Sequence, residues 1–183
     1  EGSISPAALE LAARAGFDWA ATDEILLSKA FGKAISRDSD GVPAEPRWFY
    51  QPYAANIGGC SIPIFFRDHR LSDLIGFEYS RWDAHDAVNN FIHNISNIYK
   101  RLSSDKSSFG HGDPIIPVIL DGENAWEYYP YNAFYFLSDL YSELDVSQTA
   151  SVERFAAWVR QQTSEVDVLV NNAGGAHGVD TVL

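Results

Sequence analysis

The clearest helical pattern in the chain runs over residues 84–102. Ala84, Ala87, Val88, Phe91, Ile92, Ile95, Ile98, Tyr99 and Leu102 recur at steps of three and four, an apolar stripe suited to packing on a sheet. A second amphipathic helix is expected over 132–144, and an alanine-rich one over 7–15 with Ser5 as N-cap and Pro6 at the first helical position. Short apolar or aromatic runs at 17–21, 61–66 and 115–120 read as strands. Each ends on polar residues: Thr22-Asp23-Glu24, Arg67-Asp68-His69-Arg70, and Asp121-Gly122-Glu123. Repeated strand-then-helix units indicate an α/β fold, either a parallel barrel or a doubly wound sheet. In both, ligands bind beyond the carboxyl ends of the strands, which is where these polar tips belong.

Residues 33–61 break the pattern. With Asp40-Gly41, Pro43, Pro46 and Gly58-Gly59 around Trp48-Phe49-Tyr50 and Tyr53, they read as a long aromatic excursion on the substrate side of the fold. A polar loop is expected from 103 to 113. Asn94-Ile-Ser96 matches a glycosylation acceptor, but it falls inside the 84–102 helix and is discounted.

Composition narrows the partners. The 183 residues are 46% hydrophobic and 14% aromatic, enough for a folded core. Thirteen basic residues against 25 acidic ones leave a net charge of −12 without a basic cluster, so neither nucleic acid nor an anionic membrane is expected as a partner. No apolar run is long enough to span a membrane and no charged-then-apolar leader opens the chain, which favours a cytoplasmic location. The single Cys60 rules out an internal disulfide; after Gly58-Gly59 and without a basic neighbour it reads as a small buried residue, not a nucleophile. The chain has no methionine and begins at Glu1, as expected of a fragment or processed piece. His69 has no second His or Cys at ligand spacing, so no metal is expected.

The tip at 121 carries the most suggestive chemistry. Asp121 and Glu123 are placed to face a ligand, and Trp126, Tyr128 and Tyr129 follow at once. Flat aromatic faces pack against the C–H faces of sugars, while carboxylates bond hydroxyls or act as acid and base at a glycosidic bond. An Asp-Gly pair after a strand is also an ordinary turn. Asp23-Glu24 likewise reads, on local grounds, as the cap of the helix that begins Ile25-Leu-Leu-Ser-Lys-Ala.

Three motifs together resemble one family. Glu1-Gly-Ser-Ile-Ser with Trp19-Ala-Ala-Thr-Asp-Glu24, then Phe66-Arg-Asp-His-Arg-Leu-Ser-Asp-Leu-Ile-Gly-Phe77, then Val118-Ile-Leu-Asp-Gly-Glu-Asn-Ala-Trp-Glu127 are similar to glycoside hydrolase family 57, in particular its amylopullulanase and α-amylase-like members. The resemblance covers residues 1–144 and implies a partial parallel (β/α) barrel, an α-glucan substrate such as starch or pullulan, and no cofactor. It implies Glu24 as nucleophile and Asp121 as general acid/base of a retaining hydrolase, with carboxyl groups about 5–5.5 Å apart. On that scheme Asp121 needs a raised pKa, supplied by the apolar run before it and by Trp126, whereas Glu24 stays ionised. Glu1, Arg67, Asp68, His69, Asp73 and Glu123 are then substrate-side residues, and Trp19, Trp48 and Trp126 candidate sugar-stacking faces. The family's earlier His-containing strand and later barrel and helical segments have no counterpart here, so an incomplete, weakly stable and inactive barrel is expected, completed by segments of a longer protein.

From 145 to 183 the resemblance changes. Asp145-Val146 and Val166-Asp-Val-Leu-Val-Asn-Asn-Ala-Gly-Gly175 are similar to a short-chain dehydrogenase/reductase, implying a βαβ piece of a Rossmann fold and a junction near 144/145. No Gly-rich phosphate loop precedes it and no Tyr-x-x-x-Lys occurs in the chain, so no NAD(P) cofactor is expected. The alternatives to hydrolysis are thus an oxidoreductase fragment, or a carbohydrate-binding remnant without catalysis.

Overall fold

The computed structural model describes residues 3–105, 114–122 and 125–144. Glu1, Glu123, most of the 103–113 loop and the whole dehydrogenase-like stretch 145–183, with its expected junction, lie outside the described residues. The chain divides into two compact units, one drawn from Glu1–Ile75 and His93–Asp121, the other from Gly76–Ile92 and Gly122–Leu183.

The first unit opens with α1 (Pro6–Arg14), capped by Ser5 Oγ accepting from Ala8 N–H at 3.1 Å. Strand β1 (Ala20–Asp23) runs directly into α2 (Glu24–Phe31), which Gly32 ends in the left-handed conformation. A one-turn helix α3 (Pro46–Phe49) then leads to β2 (Tyr53–Ile57), β3 (Cys60–Arg67) and α4 (His69–Asp73). The three strands form one sheet in the order β1-β3-β2. β1 and β3 are parallel, as expected; β2 is antiparallel to β3, so the sheet is mixed. A closed barrel is not among the described residues.

Two expectations for this unit change. Residues 33–61 are not an open substrate-side loop: they contain α3 and β2, and Trp48, Phe49 and Tyr50 are core residues. The β2–β3 hairpin turns at Gly58-Gly59, whose φ values of 58° and 81° are those of a two-residue turn with both central residues left-handed. The 115–120 run does not join the sheet as a strand. Its alternate residues are nevertheless tied down: Ile115 N–H donates to Tyr50 O at 3.0 Å, Pro117 O accepts from Asp68 N–H at 2.8 Å, and Ile119 N–H donates to Ser72 Oγ at 3.1 Å. With two of the partners a side-chain oxygen and the residue after β3, and Pro117 lacking a donor, no regular ladder forms.

A π-helical turn (Leu74–Glu78) and a short 3-10 turn (Tyr79–Arg81) precede α5 (Ala84–Ser104), the helix expected over 84–102. Ala87, Val88, Phe91, Ile98 and Leu102 are buried, but Tyr99 is exposed. The buried Asn94, which accepts from Arg70 Nη1 at 2.7 Å, is closed to glycosylation. The last helix, α6 (Phe134–Glu143), starts two residues later than expected, because Tyr131, Asn132 and Ala133 all take left-handed φ values of 51–62°. Cys60 is half-buried and free.

Candidate active site

Parallel pairing brings two polar strand ends together. Asp23 and Arg67, 44 residues apart in sequence, are partners in the β1–β3 ladder, so Thr22-Asp23-Glu24 and Arg67-Asp68-His69 meet at the carboxyl ends of these two strands. Both strands pass straight into helices, and the acidic residue at each junction caps its helix. Asp23 Oδ1 accepts from Ile25 N–H at 3.0 Å, and Asp68 Oδ1 from Leu71 N–H at 2.8 Å. The capping reading of Asp23 holds, and its second oxygen is used as well.

That oxygen, Asp23 Oδ2, lies 2.9 Å from His69 Nδ1 and 3.2 Å from Arg67 Nη1. Asp73 closes the ring, pairing with Arg67 Nη2 and lying 2.8 Å from His69 Nε2. Arg67 Nε also donates to Ile119 O at 3.1 Å. One guanidinium thus grips Asp23, next to Glu24, and the backbone two residues before Asp121.

Glu24 is the first residue of α2, where the helix dipole favours negative charge. Its Oε2 accepts from Arg37 Nη2 at 2.5 Å and from the backbone N–H of His69 at 3.1 Å. Oε1 has no partner among the described residues. Among the described residues no buried side-chain oxygen lacks a hydrogen bond, so Oε1 reaches solvent. Glu24 borders an open groove of about 420 Å³ with Ile25, Ser28, Lys33 and Ile35. Burial lifts the Glu24 carboxyl above its ordinary range and Asp68 adds to this, while Arg37 and the His69 N–H pull the other way. Burial would also raise Asp23, but the Ile25 N–H, His69 and Arg67 outweigh it and hold that carboxyl low.

Behind Glu24 the cluster is closed to water. Asp68 is fully buried, and its Oδ2 accepts from Tyr50 Oη at 2.6 Å and Arg37 Nη1 at 3.1 Å. Burial and the adjacent Asp68 keep the Tyr50 hydroxyl protonated. Neither Arg37 nor the role of Tyr50 was legible in the sequence. The Asp38-Ser-Asp-Gly41 turn signal was visible, but nothing local says that the arginine before it reaches Glu24.

The other expected site residues are placed differently. Asp121 belongs to the same unit as Glu24 but is exposed, so the apolar run before it does not bury it. The burial expected at Asp121 falls on Glu24. Trp19 is exposed at the amino end of β1, its ring edge-on to Phe65 at 5.8 Å. At about 3.3 Å per residue that is roughly 13 Å along the strand from Asp23. Trp48 is buried against Phe31 with Lys33 Nζ over its ring, and offers no face to a sugar. Trp126 belongs to the second unit, half-buried against Tyr129 and Phe136.

Among the described residues, no group of three or more His, Cys, Asp and Glu is arranged to hold a metal ion, and no helix is long and apolar enough to cross a membrane. A comparison with curated proteins finds no match. The model of glycosyl hydrolase family 57 matches residues 1–168, running past the 144/145 boundary drawn from the motifs. With nearly the whole length matched, the chain belongs to glycosyl hydrolase family 57.

Proposed function

We propose that the chain carries the catalytic carboxylates of a retaining glycoside hydrolase acting on α-glucans, with Glu24 as nucleophile and Asp121 as general acid/base. The observation that carries this reading is the asymmetry of Glu24: Oε2 is held by Arg37 and His69 N–H, while Oε1 is unpaired and open. A nucleophilic carboxylate needs one free oxygen and a fixed orientation.

In the first step Glu24 Oε1 attacks the anomeric carbon, and the bond to the glycosidic oxygen breaks as Asp121 gives that oxygen its proton. Asp121, now a carboxylate, takes a proton from water. The resulting hydroxide displaces Glu24 from the anomeric carbon, returning both side chains to their starting states. Inversion occurs twice, so configuration is retained. The α-glucan preference rests on the motif resemblance.

The test is chemical rescue. Glu24→Gly removes the attacking carboxylate; azide added to that variant with an activated α-glucoside should restore turnover and release the β-configured glucosyl azide. An α-configured azide would assign Glu24 to the acid/base role instead. Unchanged reducing-sugar release from starch in Glu24→Gln would end the nucleophile assignment. Release from a β-1,4-glucan but not from starch would overturn the substrate class.

The exposure of Asp121 favours one second reading, binding without hydrolysis. It predicts starch retention on native affinity gels that is undiminished in Asp121→Asn, with no sugar released by either protein.

A further inference from the structure

Arg37 lies outside every motif in the chain, yet its Nη2 donates to Glu24 Oε2 at 2.5 Å, closer than the His69 N–H. Its other fork nitrogen donates to the fully buried Asp68 Oδ2 at 3.1 Å and to Gly41 O at 3.2 Å. The guanidinium also lies over the Phe49 ring, 5.5 Å from its centroid. Three directions of the planar group are therefore fixed by partners that cannot easily move. Asp68 is anchored by Tyr50 Oη and by capping α4. The Gly41 carbonyl belongs to a braced turn, in which Asp38 Oδ1 accepts from the N–H groups of Asp40 and Val42 and Asp38 Oδ2 from Arg101 Nη2.

A lone carboxylate at a helix start has three rotatable side-chain bonds and would present either oxygen to solvent. Here Arg37 and the His69 N–H both claim Oε2, which removes that choice and leaves Oε1 forward. A lysine would supply the charge but not the two-armed geometry that joins Glu24 to Asp68.

We propose that Arg37 is the positioning residue of this site: braced by Asp68, Tyr50 and the 38–42 turn, it selects which Glu24 oxygen faces substrate. This rests on the reading of Glu24 as nucleophile, and extends it to a residue that does not touch sugar. The charged groups facing Glu24 are Arg37 and Asp68, with the His69 N–H and the adjacent Asp23 completing its surroundings.

The test reads Glu24 itself, so it does not depend on turnover. Glu24 is followed by carboxyl ¹³C NMR titration in the full chain, its resonance assigned by its loss in Glu24→Gln. Arg37→Gln should move the Glu24 midpoint upward by about one pH unit, and Arg37→Lys by a smaller amount. Arg14→Gln, which breaks an exposed pair with Glu10, should not move it. An unchanged midpoint in folded Arg37→Gln overturns the proposal; should that variant not fold, an unchanged midpoint in Arg37→Lys does so. In turnover of an activated glucoside, Arg37→Lys should lower kcat about 10²-fold with little change in KM, and equal losses in both would overturn the positioning role. A shifted midpoint alongside failed azide rescue of Glu24→Gly would leave the Arg37–Glu24 coupling standing and remove the nucleophile reading. Successful rescue with an unshifted midpoint would remove this inference alone.

Discussion

Asp23 and Glu24 are adjacent and both shielded, yet their environments pull in opposite directions, and that gives opposite pH signatures. The Glu24 carboxyl sits above its ordinary 4.5. Its ionisation therefore costs stability as pH rises from about 4.5 through the folded value. Asp23 sits below its ordinary 3.8. Its contribution is present above that value and lost as pH falls through the folded one. Glu24→Gln, which keeps an acceptor for Arg37, is expected to melt at or above the parent temperature at pH 7, a gain of roughly 0.5–2 kcal/mol at most. That gain should vanish toward pH 4. Asp23→Asn retains a capping side chain but leaves Arg67 only Asp73 as a carboxylate partner, and should cost roughly 1–3 kcal/mol at pH 7, with the deficit closing in acid. Thermal melts of both variants across pH check this; differences of the same sign would show that the two carboxylates are not separately tuned. Under the proposed nucleophile role, a carboxylate less stable in its working form than a neutral substitute is the usual stability cost of a site built for reaction.

At the scale of elements, α5 shows how one side chain outside a helix completes it. Arg47 of α3 donates through Nη2 to Leu102 O at 3.3 Å and through Nε to Asp105 O at 3.1 Å, satisfying carbonyls that the helix end leaves open. Arg47→Ala should destabilise by about 1–2 kcal/mol, with amide exchange of α5 accelerating first in its last turns; uniform acceleration along the helix would argue against a capping role. Similarly, Gly59 at φ 81° faces open space, so only its backbone angle resists substitution. Gly59→Ala should cost about 1 kcal/mol and Gly59→Asn less, as read from urea unfolding midpoints. The helices α1, α2 and α5 and the strand β3 were legible because each is specified locally, by Ser5-Pro6, by Asp23 as cap, by the stripe from Ala84, and by an apolar run closed by a polar tip; β1 instead starts three residues into the expected 17–21 run, whose Phe17 and Trp19 are exposed. The parallel tips that assemble Asp23, Glu24, Arg67, Asp68 and His69 were legible for the same reason. Trp48, Arg37 and the 115–120 run were not. Whether an aromatic faces sugar or core, which carboxylate an arginine reaches, and whether an apolar run finds a free strand edge are decided by tertiary partners that leave no local mark. Gly58-Gly59 did carry a two-residue turn signal, but reading 33–61 as one loop passed over the hairpin and β2 with it.

For the molecule as a whole, two electrostatic regimes coexist. The net charge of −12 places repulsion between carboxylates over the surface, an interaction that salt screens as the Debye length falls from roughly 30 Å at 0.01 M to 8 Å at 0.15 M. The Glu24–Arg37–Asp68 cluster is shielded, with side chains 14%, 15% and 0% exposed, and its contacts are shorter than any such screening length. Surface repulsion opposes the compact state, whereas the cluster's geometry is fixed by direct hydrogen bonds. Raising sodium chloride between these concentrations at pH 7 should therefore increase the melting temperature by a few degrees and then level off, while the Glu24 titration midpoint stays nearly constant. In Arg37→Gln, with the guanidinium gone, Glu24 is left facing Asp68, and its midpoint should sit higher yet stay as insensitive to salt, because that pair is shielded in the same way. A parent midpoint that tracks salt as strongly as the melting temperature would mean that the Glu24 oxygens exchange freely with solvent and that the fixed orientation does not persist in solution.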